Sequence, residues 1–510
     1  MDINKFENSV YSLVVSAATK LPPDVAQAMK HAIIQEAPET QSAMALKTIA
    51  KNLHMAEELT GPICQDTGLP YFLVYCPVDA NQLEMKSAIH NALIAATKNG
   101  KLRPNSVDSL TGENSGNNLG PCTPVIQFRQ WKKPYIDVKL MLKGGGSENK
   151  SVQYTVPCEL DGLGTAGRDL DGVRKCIMHA IYSAQGKGCS AGFIGVGIGG
   201  DRTASYEVAK DQLFRHLEDT NDSPMLQELE AYIVGKANEL GIGTMGFGGK
   251  ISLLGCKIGA VNRHPASFFV SIAYMCWANR RVGAEINAET GEISKWHYQT
   301  VEKEVDFSQY ASKSFVDQVV TLQTPLTEEQ VRSLKVGDVV RINGMVYTGR
   351  DAVHKHLATG GDCPIDLNGQ IIYHCGPVML QDETGEWHVK AAGPTTSIRE
   401  EPYQGDVMKK FGIRAVIGKG GMGAATLDAL QDFGGVYLNA IGGAAQFYAD
   451  CIKSVEGVDL LELGVPEAIW HLKVEGFTAV VTMDAHGNSL HKDIDEVSFQ
   501  ELQKYAKKVF

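Results

Sequence analysis

No apolar run in this chain reaches the ~18 residues that a membrane-spanning helix requires, and no long basic run of lysine and arginine occurs among its 510 residues. The net charge of −11 is spread along the sequence, which argues against nucleic acid as a partner. Anionic small molecules stay open, because a local group of arginines and lysines outweighs the global field at short range. A disulfide framework is missing as well. Eleven cysteines, an odd number, are too sparse for one, and none pairs with another as CxxC, which speaks against a zinc ribbon or a bacterial-ferredoxin cluster. The opening Met1-Asp-Ile-Asn-Lys-Phe-Glu7 has no charged segment followed by an apolar one, so no signal peptide is expected. A reducing cytoplasm is the expected compartment. Tandem repeats and low-complexity segments are likewise missing.

What is present is an ordinary globular balance, 44% hydrophobic and 21% charged residues, long enough for two or three domains with substantial cores. Fifty-three glycines exceed the usual ~7%, and they cluster. The most informative stretch is Gly61-Pro-Ile-Cys-Gln-Asp-Thr-Gly-Leu-Pro70. Glycine and proline at both ends disfavour helix and interior strand, so Cys64, Gln65 and Asp66 stand together in a stiff loop. A thiol beside a carboxylate suits a metal ligand next to an acid/base group. A buried cysteine beside a turn carboxylate is the plain alternative.

Residues 1 to about 60 read as helices, Tyr71–Cys76 as a short apolar strand, 82–99 as a helix, and 123–143 as strands. The polar stretch from Lys101 to Asn118 is a long loop, a class that is functional or disordered; Arg103 before Pro104 is an anion contact or a plain surface charge. Lys143-Gly-Gly-Gly-Ser-Glu-Asn-Lys150 exposes backbone N–H groups to an anion or forms a flexible turn. A helix over 168–185 leads to Cys189. Gly195, Gly197 and Gly200 have the GxGxxG spacing. A dinucleotide fold then requires a second parallel strand. The residues after Asp201 read instead as a long helix to about Glu218, a polar Thr220–Pro224 break and another helix. The glycines are therefore read as tight packing of strand against helix.

Ala284–Leu326 is more charged and loses the glycine clusters, as a linker does. Val336–Tyr347 reads as a β-hairpin turning at Asn343-Gly344. Beyond it strands and helices alternate, as α/β layers do. Arg350 opens one helix, Gly393-Pro-Thr-Thr-Ser-Ile-Arg399 is a polar loop, and Ala415–Gly423 is a strand running into a glycine loop that holds Lys419. Free N–H groups, a helix dipole and a lysine favour an anion there, though the P-loop spacing is absent. Arg350, Arg399 and Lys419 together suggest a cradle for a dicarboxylate.

These motifs occur in one order: Cys64-Gln-Asp-Thr-Gly, Lys143-Gly-Gly-Gly-Ser-Glu-Asn-Lys, Gly197-Ile-Gly-Gly, His264-Pro-Ala-Ser with Cys276, Arg350-Asp-Ala, Gly393-Pro-Thr-Thr and Gly418-Lys-Gly-Gly-Met. So ordered, they resemble the class I fumarases, iron–sulfur hydro-lyases that include the L-tartrate dehydratases, with the α- and β-type parts fused in one chain. The resemblance covers nearly the whole sequence. It implies a mixed α/β fold with a helix-rich cluster-binding domain over 1–285, a linker over 286–326 and a smaller β/α domain of swivelling type over 327–510. It also implies a [4Fe–4S] cluster with one open iron, held by Cys64, Cys189 and Cys276. Ser190-Ala191 follow the second cysteine where relatives often have proline, which keeps Cys176 as the fallback. Gln65, Arg103, the Gly144, Gly145 and Gly146 backbone, Arg350, Arg399 and Lys419 are the implied substrate contacts. Asp66, Thr395 and His264 are the implied acid/base groups. The expected activity is reversible hydration of fumarate to (S)-malate in the tricarboxylic acid cycle, by an oxygen-sensitive cytoplasmic homodimer. L-tartrate dehydration is the near alternative, and a nucleotide-dependent oxidoreductase built on the GxGxxG segment is the distant one.

Overall fold

The helix Ile3–Thr19 repeats apolar residues at helical spacing, Phe6, Val10, Leu13, Val14 and Ala17, all buried. Asp2 caps its start by accepting from the N–H groups of Asn4 and Lys5. The helix Gln82–Lys98 does the same with Met85, Ile89 and Leu93, behind an Asn81 cap. Both stripes pack with Phe72, Val74, Val138, Leu140 and Val282 into one core. Each fully buried side chain of that size contributes roughly 1.5–3 kcal/mol by leaving water.

The computed structural model describes residues 1–298, 305–310 and 319–510. They form two units, one of Met1–Pro23, Thr48–Lys143 and Arg280–Asn488, the other of Asp24–Lys47, Gly144–Asn279 and Ser489–Phe510. Among the described residues no helix is long and apolar enough to cross a membrane.

Besides a two-stranded ribbon of Val378–Gln381 and Trp387–Ala391, the first unit carries two larger sheets. One has five strands in the order Ile293–Trp296, Arg281–Asn287, Tyr135–Lys143, Leu69–Pro77 and Val125–Trp131. Only the last pair is parallel. The other has seven strands, of which Val320–Gln323, Val339–Thr348, Ile371–Tyr373, Ala415–Gly418 and Val436–Asn439 run parallel in that order. The fifteen-residue strand Ile469–Met483 runs antiparallel to both Val436–Asn439 and Val339–Thr348, so the sheet closes on itself. Helices Asp351–Ala358, Glu401–Phe411 and Ala424–Phe433 cover it.

Of the span expected as a linker, residues 299–304 and 311–318 lie outside the described residues, while Ile293–Trp296 and Val320–Gln323 are strands. The expected hairpin at Asn343-Gly344 is not formed. Val339–Thr348 is one continuous strand, and the glycine, at φ +105°, makes a bulge where the pairing to Ile469–Met483 shifts register. Ladder partners on both edges hold the strand straight through, and Asn-Gly supplies the positive φ that a bulge needs as readily as one for a turn.

The second unit is built on a four-stranded sheet ordered Val152–Thr155, Phe269–Met275, Gly192–Ile198 and Leu253–Ala260. Gly192–Ile198 and Phe269–Met275 are buried at every position, and helices Leu170–Ala184 and Pro224–Asn238 share their core. Gly192–Ile198 has a parallel partner, but not where a dinucleotide motif requires one, as the sequence reading held. Leu253–Ala260 pairs with it, but only after the two helices Arg202–Gln212 and Pro224–Asn238. The first of these helices ends at Gln212 and not near Glu218. The glycines behave as read: Gly195 and Gly197 lie inside the strand, and a Cβ on either would collide with the backbone carbonyls of Ala209 and Ser205 on the covering helix. That close approach leaves no room for a pyrophosphate.

Candidate active site

In the first unit the Gly61–Pro70 loop is tied down along its length. Ile63 donates its N–H to the Ala18 carbonyl, and its own carbonyl accepts from Asn52 Nδ2 at 3.0 Å. Gln446 Nε2 donates to the Pro62 carbonyl at 2.8 Å. Gly68, at φ +82°, lies against the Leu142–Lys143 backbone where a Cβ would be 2.7 Å from the Lys143 nitrogen, so this position requires glycine. The loop is thus a rigid mount. Cys64 is buried at 6% exposure and its thiol donates to Gln65 Oε1 at 3.4 Å. Gln65 Nε2 donates to the Pro394 carbonyl at 3.1 Å, which brings the Gly393–Arg399 loop onto the Cys64 loop.

Arg103 joins them. Its N–H is held by Thr67 Oγ1, its Nε donates to Asn105 Oδ1 at 2.7 Å, and its Nη1 donates to the Gly376 carbonyl at 2.7 Å. Asn118 braces the long polar loop by accepting from the Asn105 N–H and donating to the Arg103 carbonyl. Arg103 is accordingly an ordered, buried cation and not a surface charge.

Asp66 sits among cations. Burial pushes its carboxyl up, but Arg103, Arg280 and Lys419 outweigh that and hold it at about 2. It is a carboxylate at neutral pH and has no proton to give. Lys419 and Thr395 are locked together by backbone: the Lys419 N–H donates to the Thr395 carbonyl, and the Ser397 N–H to the Lys419 carbonyl. Thr395 Oγ1 accepts from Arg399 Nη2 at 2.8 Å, and Arg399 Nε lies 3.4 Å from Asp351 Oδ1. Arg350 precedes the helix Asp351–Ala358 and pairs with Glu467 at 2.9 Å. Its Nε is buried without a hydrogen-bond partner among the described residues. Arg350, Gly376 and Lys419 all follow the carboxyl ends of parallel strands, so one end of the sheet gathers them.

Two neighbours were not anticipated. Arg280, 1% exposed, donates Nη2 to the Asp66 carbonyl at 2.8 Å, while its Nε and Nη1 are buried with no hydrogen-bond partner among the described residues. Two consecutive arginines closing an apolar run, Arg280-Arg281, were the signal available for it. Cys375 is buried beside Arg103, Arg350 and Cys64; burial pushes its thiol up to about 12 although both arginines oppose this. Nothing in its local sequence marks it.

The second unit holds the other predicted residues. Cys189, 4% exposed, ends a one-turn 3-10 helix in the left-handed region at φ +57°. Cys276, 9% exposed, follows the strand Phe269–Met275. The two meet at one end of the sheet: the Trp277 N–H donates to the Cys189 carbonyl, and burial together with both thiols pushes the Tyr274 hydroxyl up. The Cys276 N–H donates to Ser147 Oγ at 3.1 Å. That contact brings the Gly144, Gly145 and Gly146 run, which opens the helical turn Gly145–Glu148, beside Cys276. Cys176 is elsewhere, wholly buried in the helix core next to Cys158, with its thiol driven strongly upward by burial. His264 is exposed in the turn after Leu253–Ala260, accepting from the Ala266 N–H, at the opposite end of Phe269–Met275 from Cys276.

Residues 7–285 match the family model described as "Fumarate hydratase (Fumerase)", and residues 291–494 match "Fumarase C-terminus". A protein of Geobacillus stearothermophilus with the provisional name fumarate hydratase class I is 64% identical over 515 residues, covering 100% of both chains. A Methanocaldococcus jannaschii protein, provisionally the alpha subunit of L(+)-tartrate dehydratase, is 34% identical over 54% of this chain and 96% of its own. The L(+)-tartrate dehydratase beta subunit of Escherichia coli K12 is 36% identical over 33% of this chain and 85% of its own. One subunit type thus matches each half, and the chain belongs to the class I fumarate hydratase family of hydro-lyases.

Proposed function

We propose that this protein is a fumarate hydratase that interconverts fumarate and (S)-malate. The observation that carries the reading is the set of cations around Asp66 and Thr395: Arg103, Arg280 and Lys419 act on the Asp66 carboxylate, and Arg399 holds Thr395. A substrate with two carboxylates needs several fixed donors, and charge that builds on one carboxylate as the neighbouring C–H is broken is stabilised by them. Arg103, Arg350, Arg399 and Lys419 are assigned to the carboxylates, with Gln65 and the Gly144–Gly146 backbone as neutral donors.

Thr395 and Asp66 are assigned the proton. Because Arg399 donates to Thr395 Oγ1, the threonine's own hydrogen points elsewhere and negative charge on that oxygen is stabilised. Asp66, ionised at neutral pH, acts as the companion acceptor. His264, exposed in the turn after Leu253–Ala260, is the third acid/base candidate of the proposal.

The proposal includes a [4Fe–4S] cluster on Cys64, Cys189 and Cys276, an assignment that rests on the order of the sequence motifs. The residues suit it: each thiol sits on a loop and is just short of full burial, whereas Cys176 is sealed in a core. When bound, such a cluster with an open iron supplies Lewis acidity to the substrate hydroxyl and a carboxylate oxygen. Oxygen sensitivity, a homodimer, a cytoplasmic location and a place in the tricarboxylic acid cycle belong to the same proposal.

The test is anaerobic turnover of malate, L-tartrate and mesaconate side by side. Malate turned over fastest supports the reading. Preference for L-tartrate makes the protein a tartrate dehydratase, and colourless protein that binds NAD removes the hydro-lyase reading altogether.

A further inference from the structure

Behind Thr395 and Arg399 lies a group of buried polar side chains that the proposed reaction leaves without a task. Glu400 follows Arg399 directly and precedes the helix Glu401–Phe411. It is 0% exposed, and among the described residues neither of its carboxyl oxygens has a hydrogen-bond partner from a donor group. An ionised carboxylate has only acceptor sites, and burying one with no donor is strongly unfavourable.

What faces Glu400 is another carboxyl. Asp351, first residue of the helix Asp351–Ala358, lies within hydrogen-bond reach of it. Two carboxyls in contact cannot both ionise, so one proton sits between them. The environment decides which one keeps it. The Asp351 side chain is 44% exposed, has the Arg399 Nε at 3.4 Å, and has Arg350 as its chain neighbour. Glu400 has no solvent, and the Asp351 carboxylate acts on it more strongly than the Arg399 cation does. Burial, then Asp351, push Glu400 up to about 9, although Arg399 pulls the other way. Burial raises Asp351, but the hydrogen bond from Glu400, then Arg399 and Arg350, bring it below its ordinary value.

The other titratable groups facing the pair are neutral. His354 and His374 are both pushed down by burial and meet at Gln404 Oε1, each at 3.1 Å. His374 Nδ1 contacts Ser397 Oγ at 2.8 Å. Tyr437, whose phenol burial holds protonated, donates to the same Ser397 Oγ at 2.9 Å. The cations that act on the pair are Arg399, on both carboxyls, and Arg350, on Asp351.

We propose that Glu400 is a positioning residue for this reaction. It remains a neutral acid that donates its carboxyl proton to Asp351, keeping Asp351 a single fixed anion against Arg399 Nε so that Arg399 Nη2 stays aimed at Thr395 Oγ1. The reading rests on the function proposed above for Arg399 and Thr395. Loss of the Glu400 proton would put a second buried negative charge beside Arg399 and draw the guanidinium off the threonine.

The test uses the anaerobically purified, iron-loaded full chain and has two arms. Infrared difference spectroscopy of wild type against E400Q is expected to show a protonated-carboxyl C=O band at neutral pH that the variant lacks. Its absence overturns the proposal whatever the enzyme turns over. In kinetics, E400L is expected to lower kcat about tenfold with KM changed less than about twofold, and E400Q, which keeps a donor at that position, to recover most of the loss. The alkaline limb of the wild-type kcat profile is expected to be missing in E400Q. An E400Q variant as impaired as E400L, or one that keeps the alkaline limb, overturns the proposal. A wild type inactive on malate overturns the proposed function instead, and the infrared arm still decides the protonation of Glu400.

Discussion

Arg103 stands between two loops with one hand on each: its Nη2 lies 3.5 Å from Asp66 Oδ1, and its Nη1 donates to the Gly376 carbonyl at 2.7 Å. The ion pair is long and the hydrogen bond to the carbonyl is short. A guanidinium placed in this way has donor capacity to spare for a ligand carboxylate, and a fork of two nitrogens that lysine cannot reproduce.

Replacing it is expected to act on binding and on Asp66 together. R103K should raise KM for malate by roughly tenfold to a hundredfold, equivalent to about 1.4–2.7 kcal/mol, with steady-state kinetics as the check. Asp66 has a depressed folded-state value, about 2, so its charge stabilises the fold above the ordinary carboxylate range and that contribution is lost as pH falls through about 2. Acid unfolding of D66N should therefore lack the part of the wild-type stability loss that falls between about pH 4 and 2. Equal acid slopes for the two proteins would contradict the assignment of Arg103, Arg280 and Lys419 as its partners.

Arg399 and Lys419 are held by side chain and backbone around Thr395 and not by any cysteine named as a cluster ligand. R399A and K419A are expected to lower kcat/KM by about two to three orders of magnitude, as loss of one charge-stabilising donor does. Their visible absorbance should stay intact. Loss of colour in either variant would mean that the residue supports the cluster.

The cysteines separate by environment. C64S, C189S and C276S should lose iron and activity on anaerobic reconstitution, whereas C176S, in a sealed core beside Cys158, should bind iron like wild type and lose only a little thermal stability. Iron and sulfide analysis of the four variants decides. Full iron in C189S with loss in C176S would transfer the ligand role to Cys176.

Gly197 and Gly235 make a stability pair. A Cβ at Gly197 runs into the Ser205 carbonyl, while one at Gly235, in the helix Pro224–Asn238, has nothing within 4 Å. G235A should gain about 0.5–1 kcal/mol from helix propensity. G197A should be severely destabilised, because strand and helix backbones must part. Denaturant unfolding measures both, and a G197A protein as stable as wild type would refute the packing role of these glycines.

Much of this protein was legible in residue order alone. Helical spacing marks Ile3–Thr19 and Gln82–Lys98, because a period of 3.6 is a local property. The motifs from Cys64-Gln-Asp to Gly418-Lys-Gly-Gly carry the family, because each pairs a special backbone with a particular side chain. What the linear chain left open depended on partners far away in sequence. Asn343-Gly344 suits a turn or a bulge equally, and ladder bonds to Val320–Gln323 and Ile469–Met483 made it a bulge. Cys176 and Cys189 differ in environment, one in a core and the other beside Cys276, and nothing in their local sequence separates them in this way. Arg280 against Asp66, and Glu400 against Asp351, are pairings across 214 and 49 residues. No local pattern encodes them, since charge and burial act through space: a carboxyl's protonation is set by whichever groups the finished fold brings within a few ångströms of it.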